Sequence, residues 1–121
     1  MIYLNNSSIN IKGVNFWGSP VQPKFFNMAF NKDRGEEIKK YWDLIPEDAD
    51  VLITHTPPYG ILDLTRKGVN VGCEELAKKI QELKIKLSLF GHVHEAQGEI
   101  VKDKTLFINT ACIVSSTIIE A

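Results

Sequence analysis

Two short apolar runs, each leading into a histidine, constrain this sequence more than any other feature. Val51-Leu52-Ile53 is continuous and uncharged, as expected of a strand covered on both faces, and it runs through Thr54 into His55. Ile85, Leu87 and Leu89 alternate with Lys84, Lys86 and Ser88, the period of a strand, and deliver Gly91-His92-Val93-His94. A helical pattern precedes each run. Ile38, Tyr41, Trp42 and Ile45 fall at i, i+3, i+4 and i+7, which predicts a helix over 34–45 with a Glu36–Lys40 pair on its wet side and Pro46 as its stop. Leu76, Ile80 and Leu83 predict a second helix over 73–84, N-capped by Gly72, with Glu74–Lys78 and Glu75–Lys79 pairs.

The remainder reads as β structure. Ile2–Leu4 and Ile9–Ile11 flank the turn-prone Asn5–Ser8 and are expected to pair as a hairpin, with a further strand at Val14–Trp17. Residues 19–33 contain two prolines and scattered aromatics, and read as an ordered, partly buried loop. Strands near Gln97–Val101 and Thr105–Asn109 are joined by a tight Lys102-Asp103-Lys104 turn, and Ile113–Ile119 is expected to form a last strand. The order is that of an α/β fold, in which ligand sites collect at the carboxyl ends of strands.

Composition narrows the function. With 121 residues the chain fits one domain, 1–121. A net charge of −1 offers no electrostatic footprint for a nucleic-acid polymer or an anionic membrane. No apolar run is long enough to span a bilayer, and the N-terminus lacks the pattern of a signal peptide. Cys73 and Cys112 form no CxxC pair and read as reduced, packed thiols, which points to a cytoplasmic protein.

All three histidines, His55, His92 and His94, lie at strand–loop junctions. In extended backbone His92 and His94 point to the same side. A turn between them, permitted by Gly91, would instead aim them at two ions roughly 3.5–4 Å apart. Spacing alone leaves metal ligation and ordinary packing about equally weighted. Imidazole suits Mn, Fe or Zn among other ions and does not choose between them.

The surrounding strings carry more. Residues 51–63, Val-Leu-Ile-Thr-His-Thr-Pro-Pro-Tyr-Gly-Ile-Leu-Asp, are followed by Gly72-Cys73-Glu74-Glu75-Leu76 and by Leu89-Phe90-Gly91-His92-Val93-His94-Glu95. Together they resemble the C-terminal motifs of calcineurin-like metallophosphoesterases, in the subgroup of metallophosphoesterase-domain (MPPED) proteins. Gly18-Ser19-Pro20 and Trp42-Asp43-Leu44-Ile45-Pro46 resemble the same subgroup. The likeness runs from about residue 9 to 119. It implies the C-terminal part of a four-layer αββα sandwich with mixed sheets and two main helices. It implies hydrolysis of a phosphoester, such as the phosphodiester of a cyclic nucleotide, at a two-metal site. His55 and His92 would then share one divalent ion and His94 would hold its neighbour.

The acidic half of such a site is not in this sequence: no Asp-x-His, Gly-Asp or Gly-Asn-His string occurs. The resemblance places Met1 where the second half of the family's fold begins. Three neutral imidazoles offset none of the charge of two divalent ions, so a stable bimetal pair is not expected from these ligands alone. Asp63 and Glu95 lie close to the histidines in sequence, but read first as loop or surface carboxylates. Asn109 is given no catalytic role. The expectations are therefore a phosphoesterase lacking its N-terminal metal-binding half, weak or inactive by itself, or alternatively an inactive binding or assembly module or a single-metal protein. A half-sandwich would leave an apolar face open around 51–53, which predicts a homo-oligomer or a complementing N-terminal half as partner.

Overall fold

A computed structural model describes residues 4–23 and 30–110. Its elements, in chain order, are β1 (Ser7–Ile11), β2 (Val14–Ser19), β3 (Gln22–Pro23), β4 (Asn31–Lys32), α1 (Glu36–Trp42), β5 (Val51–Thr54), α2 (Glu74–Leu83), β6 (Leu87–Phe90), a 3-10 turn (His94–Ala96), β7 (Gly98–Lys102) and β8 (Thr105–Asn109). The main sheet has the order β1-β2-β5-β6-β8-β7, and β3 and β4 form a separate parallel pair. The four inner strands β2, β5, β6 and β8 run parallel. Each outer strand is antiparallel to its neighbour. This is the α/β architecture with a mixed sheet and two helices that the sequence implies.

The two hairpins turn where paired left-handed residues allow it. Lys12 and Gly13 have φ of 52° and 86°, and Asp103 and Lys104 have 50° and 69°. Positive φ at both central residues is the two-residue turn whose twist matches flanking strands. The first hairpin therefore pairs Ser7–Ile11 with Val14–Ser19; Ile2 and Tyr3 of the expected Ile2–Leu4 strand lie outside the described residues. Ser7 and Ser8 are strand rather than turn, because Lys12-Gly13 supplies the reversal and leaves all five residues of β1 free to pair. The first helix is shorter than its periodicity suggests. Its last turn closes at Trp42, and Leu44 and Ile45 donate to Tyr41 and Trp42 in tight turns before Pro46. The expected strand at Ile113–Ile119 lies outside the described residues.

Strand register separates the two faces of the sheet. Trp17, Leu52, Ser88 and Phe107 form one cross-strand row. This row lies under the helices and is buried, with Ile38 and Trp42 of α1 and Leu76 and Ile80 of α2 packed in the same core. Trp17 and Trp42 meet edge to face at 6.3 Å between ring centroids, the arrangement favoured by the ring quadrupole. The opposite face carries Phe16, Val51, Leu87 and Leu106 in one row and Gly18, Ile53, Leu89 and Ile108 in the next. Val51 is buried, but Ile53 is 42% exposed and the leucines and Ile108 are only half-buried. So β5, expected to be covered on both sides, is covered fully on one.

Candidate metal centre

The parallel order brings the relevant strand tips to one edge. β2, β5, β6 and β8 end there at Ser19, Thr54, Phe90 and Asn109. His55 follows β5 directly, and its N–H donates to Ser19 O across the neighbouring tip. Gly91 N donates to His55 O, which ties the loop after β6 to the loop after β5. The result is a close pair of imidazoles: His55 Nε2 lies 3.1 Å from His92 Nδ1, with ring centroids 4.8 Å apart at 62°.

The backbone at His92 explains how its ring reaches that position. Val93 N donates to Gly91 O, an i→i+2 bond closing a three-residue turn, and His92 at its centre has φ of 71°. This is the rarer, strained γ-turn. The left-handed torsion falls on the histidine itself and not on Gly91, where the sequence suggested the freedom would be used. A non-glycine residue holds such a torsion only where its surroundings enforce it. His94 then opens the 3-10 turn.

Burial sets the charge state of the pair. His55 is pushed down to about 4, first by burial and then by the neighbouring charge of His92. His92 is lowered by burial and then by His94, against an opposing effect of Glu95. Both rings are neutral at pH 7, the state in which imidazole binds metal. Two nitrogens bound at about 2.0–2.1 Å to one ion stand about 2.9–3.4 Å apart, depending on the bond angle. The observed 3.1 Å fits two ligands of a single cation. Among the described residues no set of three or more His, Cys, Asp or Glu side chains converges on a common point. His94 is close enough for its charge to act on His92 but completes no such set. The donors present fit one borderline divalent ion and do not fit a pair, whose charge they leave unbalanced.

No protein-family model matches the chain. Over 117 residues it is 41% identical to metallophosphoesterase domain-containing protein 1 of Homo sapiens and of Mus musculus, across 94% of this chain and 36% of each relative. The chain is homologous to that protein. A UPF0046 protein of Caenorhabditis elegans is 42% identical over 109 residues, which cover 89% of this chain and 28% of that one. The chain thus spans about a third of the length of the curated relatives it matches. A solved structure shares the fold at a TM-score of 0.63 and 21% identity, over 89% of this chain and 45% of its own.

Around the histidine pair, the nearby carboxylates serve the loops. Asp63 is 1% exposed and accepts from Gly60 N, Gly72 N and Asn70 Nδ2. It organises the long connection from His55 to α2. Glu95 accepts from Arg66 N and is held low by its own backbone N–H and then by that of Arg66. Gly72 is not the cap of α2; Cys73 occupies that position. Gly72 lies against Pro58, where an added Cβ would sit 2.5 Å from the carbonyl oxygen. Asn109, left without a role by the sequence, is buried, and its amide donates to both Leu62 O and Val93 O. The only sequence signal for it is a polar residue ending an otherwise alternating strand.

Proposed function

We propose that this chain is the histidine-bearing portion of a metal-dependent phosphoester hydrolase. In this reading His55 and His92 are ligands of one divalent cation, Mn, Fe or Zn, and His94 is the adjacent candidate for a second. The observation that carries it is the 3.1 Å approach of the two ring nitrogens at the carboxyl edge of a parallel sheet. Homology to a metallophosphoesterase domain-containing protein supports it. A divalent cation at such a place supplies charge neutralisation for phosphoryl oxygens and acidifies water. The chain's own part is to fix two neutral nitrogens, partly shielded from solvent, in one orientation. The substrate class proposed is a phosphoester, including nucleotide phosphodiesters. Turnover requires acidic ligands beyond those gathered here, which a complementing N-terminal half would supply.

The test is elemental analysis of the purified chain after exposure to micromolar Zn²⁺ or Mn²⁺, with a parallel assay of bis(p-nitrophenyl) phosphate. The expected result is measurable binding of no more than one ion per chain, lost in His55→Ala and His92→Ala, with little or no turnover by the chain alone. Absence of binding, or binding unchanged in both variants, overturns the reading. A second reading, a non-catalytic module that binds a partner, is favoured by the lack of a three-member ligand set among the described residues. It predicts no metal dependence of any property of the chain.

A further inference from the structure

Two left-handed, non-glycine residues lie in the loops that carry the histidine pair, one of them His92 itself. Leu62, in the loop that begins at His55, has φ of 52°, and His92, in the loop after β6, has 71°. Both conformations are sterically disfavoured for L-residues and revert unless something holds them. One side chain touches both places. Asn109 Nδ2 donates to Leu62 O at 2.9 Å and to Val93 O, the carbonyl just beyond the His92 turn, at 3.0 Å. A primary amide has two N–H donors, and these two carbonyls use both. Asn109 is 3% exposed, and its strand β8 lies beside β6, so the amide is anchored by the sheet and not by the loops it binds.

We propose that Asn109 is the positioning residue of the histidine pair: its amide clamps the two strained turns so that the His55 and His92 rings meet. This rests on those rings being the ligand pair, but the contact itself is measurable without metal. Aspartate at 109 keeps the shape and lacks the donors. Serine can serve one carbonyl. Thr110, whose hydroxyl donates to Phe90 O, offers a control at the next residue, bonded to the end of β6.

The experiment is a nuclear Overhauser measurement between the His55 and His92 ring protons of the metal-free chain, followed by Zn²⁺ titration. The cross-peak is expected in the native chain and in Thr110→Val, weakened in Asn109→Ser, and lost in Asn109→Ala and Asn109→Asp with the Trp17 and Trp42 indole signals still dispersed. Zn²⁺ affinity is expected to fall at least tenfold in Asn109→Ser. If Asn109→Ala does not fold, the comparison of Asn109→Ser with Thr110→Val decides. An undiminished cross-peak in Asn109→Ser, or equal loss in Thr110→Val, overturns the proposal. A native chain that shows the cross-peak and its dependence on Asn109 but binds no Zn²⁺ retains the proposal and removes the metal reading.

Discussion

His55 Nε2 and His92 Nδ1 stand 3.1 Å apart, a separation that suits either one N–H donated between the rings or two nitrogens on one cation. The arrangement excludes two protonated rings, and burial lowers both histidines toward the neutral form. His55 titrates near 4 in the fold against an ordinary 6.5, chiefly because of burial. Between those values the unfolded chain binds the proton and the folded one does not, so stability rises with pH across the window and is lost on acidification. The shift corresponds to roughly 3 kcal/mol. Urea unfolding at pH 7 and pH 4.5 should show that loss, and His55→Gln should reduce it. Equal midpoints at the two pH values would count against the buried, neutral pair.

The loop between His55 and α2 depends on close contact and on one carboxylate. Ala at Gly72 would place a Cβ 2.5 Å from Pro58 O and 2.7 Å from Tyr59 N, both backbone atoms that cannot step aside cheaply. Gly72→Ala should cost about 2–3 kcal/mol. Asp63→Ala leaves the Gly60 and Gly72 N–H groups without their acceptor and should cost about 2–4 kcal/mol. Because both changes act on one network, the double variant should cost less than the two losses added together, a difference that a denaturation cycle reads directly.

The partly exposed side of the sheet predicts association. Ile53, Ile11 and Val14 lie on it, all more than a third exposed, and Val101 on the same side is 68% exposed. Contiguous apolar surface of this kind binds partners or self-associates. Sedimentation should show concentration-dependent oligomers and binding of an apolar dye, both reduced by Ile53→Thr with Val101→Thr. A monomer that binds no dye at any concentration contradicts this.

Cys73 should be inert. It is buried, its thiol is pushed up by that burial, and its sulfur accepts from Trp42 Nε1 at 3.3 Å. Thiol reagents should modify it only at the rate of unfolding, so the rate should rise with urea. Fast labelling of Cys73 in the native chain would contradict the packing.

The parts of this structure legible in the sequence are those set by periodicity. The alternation at 85–89 and the apolar run at 51–53 locate β6 and β5, and both lead into histidines at one sheet edge, as parallel strands must. Residues governed by single torsions were not legible. Lys12-Gly13 reverses the first hairpin although Asn5–Ser8 holds the stronger turn composition, and His92 takes the left-handed torsion although Gly91 stands beside it. Gly72 reads as a helix cap until the approach of Pro58 is seen, a contact between segments 14 residues apart in the chain. Asn109 belongs to the same class. Its importance lies in two carbonyls brought to it by tertiary structure, and nothing in its neighbours announces them.

The strands that end in His55, in the His92 turn and in Asn109 also form the middle of the sheet's partly exposed flank. A body resting on that flank therefore loads the roots of the very segments whose tips align the imidazoles. Occupancy of the flank and order at the tips are then linked quantities: whatever free energy the first contributes to the second, the second returns to the first.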